Sequence, residues 1–454
     1  MKTLICNGLV IDPANKVIAQ LNVLVENGKI VLLTQEHPQA DKIIDAVGKI
    51  VSPGFIDIHM HEDPVENGVI YRGDDAISYC MLRMGVTTAL AGQCGENVYH
   101  PADYLDLIDK NGFPINLGMM AGHEFFRNMV GCTDKYAAAT TTQKQKMKEE
   151  IEKALDRGCL GLSYGIRYIP GIDVDELLIT AQPCVKSKKV IAAHIRDDAA
   201  GVFDAARELL DTGKKLRIPV QVSHIGSMAG FGQMEEFLKM IDEYKLNGLD
   251  VSCDCYPYYA FSTGIGETTY DAGWMERYDC DYSAVEISAG KYKGQRCNRE
   301  IFDELRKNDP ECITVCYVMK EDDVNMAIRH PAVMLCSDGV LDHGQGHPRA
   351  AGAFPRMIAE FVRTGNISLY NAIEKMTSMP AEKLGLLNKG RLNVGADADI
   401  VIFDYQKIKD EATFERPTLA PKGLEYILVN GEVAVNHGEI VKDHLGKAIR
   451  KRES

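Results

Sequence analysis

The 454-residue chain has little of what several large function classes require. It has no basic excess: 51 Lys+Arg stand against 65 Asp+Glu, a net charge of −14. A surface of that sign repels phosphate backbones and anionic lipid, which excludes nucleic acid and membrane as main partners. No apolar run approaches the roughly 20 residues that span a bilayer. The opening MKTLICNGLVIDPANK is broken by Asn7, Asp12 and Asn15, so it reads as a strand and lacks the apolar core of a secretion signal. Thirteen cysteines are scattered with no Cys-x-x-Cys pair, and their number is odd. That excludes a disulfide framework or haem attachment and points to reduced thiols in the cytoplasm, most of them ordinary core residues. The glycine-rich run Gly226 to Gly232 lacks the lysine and strand-to-helix setting of a phosphate loop.

What is present is ordinary globular composition, 45% hydrophobic and 26% charged. Disorder is expected only in the charged tail Lys447 to Ser454. The length suits a barrel of about 250–330 residues plus a module of about 100.

The two ends share a texture. LICNGLVID, LNVLVENGKIVLL and KIIDAVGKIVSPG are β-branched stretches broken by Asn-Gly and Pro-Gly turns, and GRLNVGADADIVIFDY, LEYILVNGEVAV and NHGEIVKD repeat the pattern. A β-sandwich built from both termini is expected, over 1–53 and 389–454. Between them, over 54–388, eight short apolar runs each precede a helical stretch. They end near His61, Cys94, Ala121, Ser163, His194, His224, Asp254 and Asp338. Six of the seven spacings lie between 27 and 42 residues, the size of a βα unit; the last is 84. The class is therefore α/β, a (β/α)₈ TIM-like barrel. The long last spacing predicts an insertion, Phe261 to Cys312, over the barrel mouth, with Trp274, the single tryptophan, inside it.

Active sites of such barrels gather at the C-terminal strand ends. His59 and His61, two apart, can face the same way after strand one. Cys94 ends strand two, His194 strand five, His224 strand six and Asp338 strand eight. Taken singly, each could be a buried thiol, a core histidine or a helix cap. Together they form a ligand set for a divalent metal: a thiolate and imidazoles suit zinc, and Asp338 can take a proton from water.

At this point the chain resembles the amidohydrolase superfamily, and within it the N-acyl-D-amino-acid deacylase (D-aminoacylase) branch, over nearly its whole length. The residues that carry the resemblance are PGFIDIHMHED, GQCGEN, GHEFFRNMVG, GLSYGIRYIPG, HIRDD and above all SDGVLDHGQGHPRAAGAFPR. The resemblance implies one tightly held Zn²⁺ at Cys94, His194 and His224, and a second, weaker divalent site at His59 and His61 beside Asp338. Asp338 would be the catalytic acid–base group, and Tyr168, Arg349 and Tyr256 would bind substrate. Many superfamily members bridge two metals with a carboxylated lysine after strand four. Here that strand ends Gly161-Leu162-Ser163-Tyr164, and Cys94 takes the bridging role. Branch members often carry a lysine soon after the strand-six histidine; this chain has Ile225-Gly226-Ser227. The implied reaction is hydrolysis of a C–N amide bond in a small N-acylated molecule. A cyclic-amide hydrolase or deaminase of the same superfamily is the alternative, and a non-catalytic scaffold relative a more distant one. A small-molecule substrate is the expected partner, and a homo-oligomer is compatible with the sequence.

Overall fold

The computed structural model describes residues 2–451. Eight parallel strands follow one another around a barrel: β1 (Phe55–Asp57), β2 (Val86–Ala91), β3 (Asn116–Gly122), β4 (Gly161–Gly165), β5 (Val190–His194), β6 (Val220–Val222), β7 (Val251–Cys255) and β8 (Val333–Leu335). Each pairs in parallel with the next in sequence. Between β8 and β1 the ladder shrinks to a parallel bridge at Met60 and Gly339. Asp338 N donates to His59 O at 2.8 Å and His61 N to Gly339 O at 2.9 Å. The seam of the barrel thus runs between the two ends that carry His59, His61 and Asp338.

The strands are buried along their length, as expected where helices cover the outside of the sheet and side chains fill the inside. The expected helices form where polar and apolar residues alternate at helical spacing. One is Thr141–Asp156, opened by a capping box between Thr140 and Gln143. Another is Met234–Leu246, closed by Gly248 at φ +88°.

A four-stranded sheet joins Lys29–Thr34, Asn22–Glu26, Lys2–Cys6 and Lys42–Asp45. A seven-stranded sheet interleaves C-terminal strands such as Ile400–Phe403 and Leu424–Val429 with Ile50–Pro53 and Leu9–Asp12. Ile5 and Val23 of the first sheet share a buried core with Val10, Val51, Ile400 and Leu428 of the second. Both chain ends therefore contribute to one packed pair of sheets.

The segment after β7 carries a three-stranded antiparallel sheet, Phe261–Gly264, Ile313–Cys316 and Val285–Ile287, and the helix Arg299–Asn308. Trp274 stacks on Phe302 with ring centroids 5.5 Å apart. The central strand of this sheet continues to Cys316, four residues past the expected boundary.

Two expectations change. The tail is ordered as far as it is described: Ala448 and Ile449 pair with Leu117 and Gly118 of β3, and Arg450 bonds Asp106 and Asp109 at 2.5 Å each. Its positive charge finds helix carboxylates at the barrel's underside, which offsets the ordering entropy. Residues 452–454 lie outside the described residues. The second change concerns where strands stop. β5 does end on His194, but β1, β2, β6 and β8 leave the ladder two or three residues before His59, Cys94, His224 and Asp338.

Candidate metal centre and substrate cavity

The chain leaves those strands by turning into left-handed backbone. Cys94 has φ +54°, His224 φ +33° and Asp338 φ +49°, with Gly92 and Gly95 at +75° and +84° around the cysteine. For side chains with a Cβ this region costs roughly 1–3 kcal/mol per residue and persists only where surroundings enforce it. Here they do. Ser163, at the middle of β4, accepts from Gly95 N at 3.1 Å and donates to Gly92 O at 2.5 Å, clamping the loop on both sides of Cys94. Glu62 accepts from Gly92 N (2.9 Å) and Val98 N (3.0 Å). Asp254, at the end of β7, accepts from His224 N at 2.7 Å. On the first strand Asp57 holds Ser337 N at 3.0 Å and His59 N at 3.2 Å, fixing the seam.

These supports bring all six sequence-predicted ligands together. Ligand atoms of His59, His61, Cys94 and Asp338 lie within 4.8 Å of one another, and so do those of Cys94, His194 and His224. Cys94 belongs to both groups. Its Sγ is 3.5 Å from His59 Nε2 and 3.4 Å from His224 Nε2. Asp338 Oδ1 is 3.3 Å from His59 Nε2 and 3.5 Å from His61 Nε2. All but His61 are buried. Ser227 Oγ bonds His224 Nδ1 at 3.0 Å, turning Nε2 toward the sulfur. Asp254 Oδ1 lies 3.4 Å from His59 Nδ1.

The electrostatics describe a centre with surplus negative charge. Burial alone would raise the Cys94 thiol, but His59 and His224 hold it well below its ordinary value, as a thiolate. Burial likewise works against Asp338, yet the Arg349 guanidinium with His224 and His59 keeps it ionised. Burial presses His61 down, and Asp338 and Cys94 overcome it, lifting its imidazole to about 10. His194 behaves differently: burial and the neighbouring His224 push it down to about 4, so it is a neutral imidazole, and its Nδ1 is buried without a hydrogen-bond partner. Thiolate, neutral imidazole and carboxylate donors at this spacing fit a divalent zinc-type ion.

The cluster forms the floor of a cavity of about 390 Å³. Tyr168, Tyr256 and Arg349, all singled out in the sequence, line it. The Tyr168 ring packs edge-on against His194, with centroids 4.6 Å apart. Arg349 lies 4.5 Å over the Tyr256 ring and 2.9 Å from Asp338 Oδ2, while its Nε has no hydrogen-bond partner. Ser262, Thr263, Glu267, Thr269 and Tyr278 of the inserted segment also face the cavity, so the insertion does cover the mouth. Sequence reasoning assigned no role to Asp254, Glu62, Ser163 or Ser227. Asp254 was visible as a strand end, but its work is done through His59 and His224, which lie elsewhere in the chain.

Known proteins resemble this chain in sequence and in fold. A model of the amidohydrolase family matches residues 315–435. The chain is 29% identical to a D-aminoacylase of Alcaligenes xylosoxydans xylosoxydans, covering 99% of this chain and 97% of the relative. It is 30% identical to an N-acyl-D-glutamate deacylase of the same organism, covering 86% and 85%. An N-acyl-D-glutamate deacylase from Bordetella bronchiseptica, solved with zinc and a phosphonate mimic of the tetrahedral intermediate, superimposes with a TM-score of 0.88 over 99% of both chains at 27% identity. No helix among the described residues is long and apolar enough to cross a membrane. By sequence and by architecture, the chain belongs to the amidohydrolase superfamily, in its N-acyl-D-amino-acid deacylase branch.

Proposed function

We propose that the protein is a zinc-dependent deacylase that hydrolyses the amide C–N bond of N-acyl-D-amino acids, releasing a carboxylate and the free amino acid. The observation that carries this reading is the sharing of Cys94 between two ligand groups, with Asp338 beside one of them. Cys94, His194 and His224 would hold a tightly bound Zn²⁺, and His59 and His61 with Asp338 a weaker second divalent ion. A bound zinc supplies Lewis acidity, polarising the scissile carbonyl and lowering the pKa of water from about 15.7 towards 7.

The remaining work falls to the protein. Asp338 Oδ1 takes the proton of the attacking water and delivers it to the leaving nitrogen, which would otherwise depart as an amide anion. Arg349 holds Oδ2 of the same carboxylate, so the proton acceptor keeps one orientation through both transfers. The spare N–H groups of Arg349 face the cavity from which a substrate carboxylate would approach. Tyr168, packed against His194, would offer its phenol to the carbonyl oxygen as that atom gains charge. The inserted segment closes the mouth and limits water around the reaction. We assign the sheets to a module of residues 1–53 and 389–454, and the catalytic barrel to 54–388. Thirteen free cysteines fit a reducing compartment such as the cytoplasm.

The test is a panel of N-acyl-D- and N-acyl-L-amino acids, hydantoins and dihydroorotate, assayed with zinc-loaded protein. Turnover of the N-acyl-D series supports the assignment. Turnover confined to cyclic amides would replace it with the cyclic-amide reading.

A further inference from the structure

The inserted segment is fastened to the barrel at a place close in sequence to the metal ligands. Strand β5 ends on His194, and the chain continues Ile195-Arg196-Asp197-Asp198. Asp198 is 2% exposed and lines the cavity. Its Oδ2 accepts the Tyr278 hydroxyl at 2.5 Å, and its Oδ1 faces Arg277 Nε at 3.5 Å. Both partners come from one inserted helix, Trp274–Tyr278. Asp197 takes Arg167 NH1 at 3.0 Å and lies 3.8 Å from the same Arg277 Nε. Arg167 precedes Tyr168 just past the end of β4, and its carbonyl accepts the hydroxyl of inserted Thr268 at 2.6 Å.

Charge explains why this clasp needs the insertion. Arg196 turns away to Glu208 at 2.8 Å, and Arg167 NH1 goes to Asp197. Arg277 therefore brings the cation that faces Asp198. A buried carboxylate deprived of its partners is costly, which favours Arg277 and Tyr278 seated on it. The helix they ride on has five residues, with left-handed backbone at each end, Gly273 at φ +92° and Asp279 at φ +50°. A single turn has little stability of its own, so its place is set by what its side chains touch. Tyr278 carries the consequence inward. With its hydroxyl spent on Asp198, it lines the cavity with its ring packed between Phe231 of the barrel (centroids 5.0 Å apart) and Phe261 of the insertion (5.5 Å).

We propose that Asp198 is a positioning residue for the deacylation: by holding Tyr278 and Arg277 it seats the inserted helix so that the Tyr278 ring forms a fixed wall against the substrate. Asp198 belongs to neither ligand group. Loss of the clasp therefore weakens substrate binding and leaves the metal in place. The substrate side of this inference rests on the deacylase reading; the clasp itself does not.

The experiment compares zinc-loaded wild type, Asp198→Ala, Tyr278→Phe and the double variant on the N-acyl-D-amino acid that the wild type turns over best. Tyr278→Phe keeps the ring and removes only the hydroxyl. KM should rise about 10-fold or more in each single variant, the worth of a hydrogen bond to a charged group, with kcat within about threefold of the wild type and zinc content unchanged. The double variant should cost no more than Asp198→Ala alone, because the two side chains act through one contact. Trp274, the single tryptophan, begins the clasped helix and stacks on Phe302, so its emission reports on the helix without any turnover. In Asp198→Ala that emission should shift to the red and be quenched more readily by acrylamide. An unchanged KM in both single variants would overturn the positioning role. So would loss of zinc in Asp198→Ala, which would make the residue part of metal binding. Additive losses in the double variant would overturn the shared contact, and an unmoved Trp274 signal would show that other contacts seat the helix. Absence of turnover on every N-acyl amino acid would remove the deacylase reading, and the Trp274 measurement would still decide the clasp.

Discussion

Arg349 and Asp338 form a buried ion pair at the floor of the cavity, NH2 to Oδ2 at 2.9 Å, with both side chains under a tenth exposed. The other carboxylate oxygen of Asp338 faces His59 and His61. One carboxylate is therefore fixed on its outer side by a guanidinium and left, on its inner side, to the metal cluster and the reacting water. Asp338→Asn keeps the shape and removes the base. Turnover should fall by roughly 10²–10⁴-fold, the usual worth of acid–base catalysis, with the fold intact by circular dichroism. Near-normal kcat in that variant would remove Asp338 from the mechanism.

Cys94 is common to both ligand groups, so its loss should be felt twice. In Cys94→Ser the harder hydroxyl replaces the thiolate, and metal analysis should find both equivalents diminished. In His61→Ala the Cys94–His194–His224 group is untouched, and the tighter equivalent should remain. Equal losses from the two variants would contradict a shared thiolate.

Asp254 touches His59 Nδ1 and the backbone of His224, without belonging to either ligand group. Groups that orient ligand histidines typically contribute 10–100-fold in metal affinity, and Asp254→Asn should lose about that much while retaining its stoichiometry at saturating zinc. A chelator competition measures it, and an unchanged affinity would limit Asp254 to holding the backbone.

Much of this site was legible before any coordinates. The strands announce themselves as buried apolar runs, and His59, His61, Cys94, His194, His224 and Asp338 stand out because each follows such a run. What stayed hidden depends on contacts between distant segments. Nothing local to Cys94 says that Ser163, 69 positions later, clamps its loop, or that Cys94, His224 and Asp338 take up left-handed backbone. The tail was misjudged because its charge suggested a solvated end, whereas Asp106 and Asp109 on one helix face receive Arg450.

Ser163 makes the loop around Cys94 testable. Ser163→Ala would leave the buried Gly95 N–H without its acceptor, a loss of about 1–3 kcal/mol. Gly165→Ala is the harsher variant, because a Cβ there would meet Cys94 O at 2.1 Å and the loop would have to move. Thermal melts should rank wild type above Ser163→Ala above Gly165→Ala, and metal affinity should fall in the same order. A metal affinity indifferent to both would show that the loop does not position the thiolate.

Lys375 gives a stability prediction with a definite sign. Its Nζ is buried under β8, donating to His330 O and Val333 O at 2.5 and 2.6 Å, and burial pushes its pKa down from 10.5 to about 8. A folded-state pKa below the unfolded value means that the folded protein gives up its proton first as pH rises. Below pH 8 both states hold the proton, and the folded state bears the full cost of the buried charge. Between about 8 and 10.5 the unfolded chain binds more protons, so this residue's contribution to stability becomes more favourable, by up to about 3 kcal/mol in all. Other groups titrate in the same range, so the measurement is a difference: denaturant unfolding of wild type against Lys375→Met from pH 7.5 to 10. The stability of the wild type relative to the variant should climb across that interval. A flat difference would mean that the lysine ionises in the fold as it does in water.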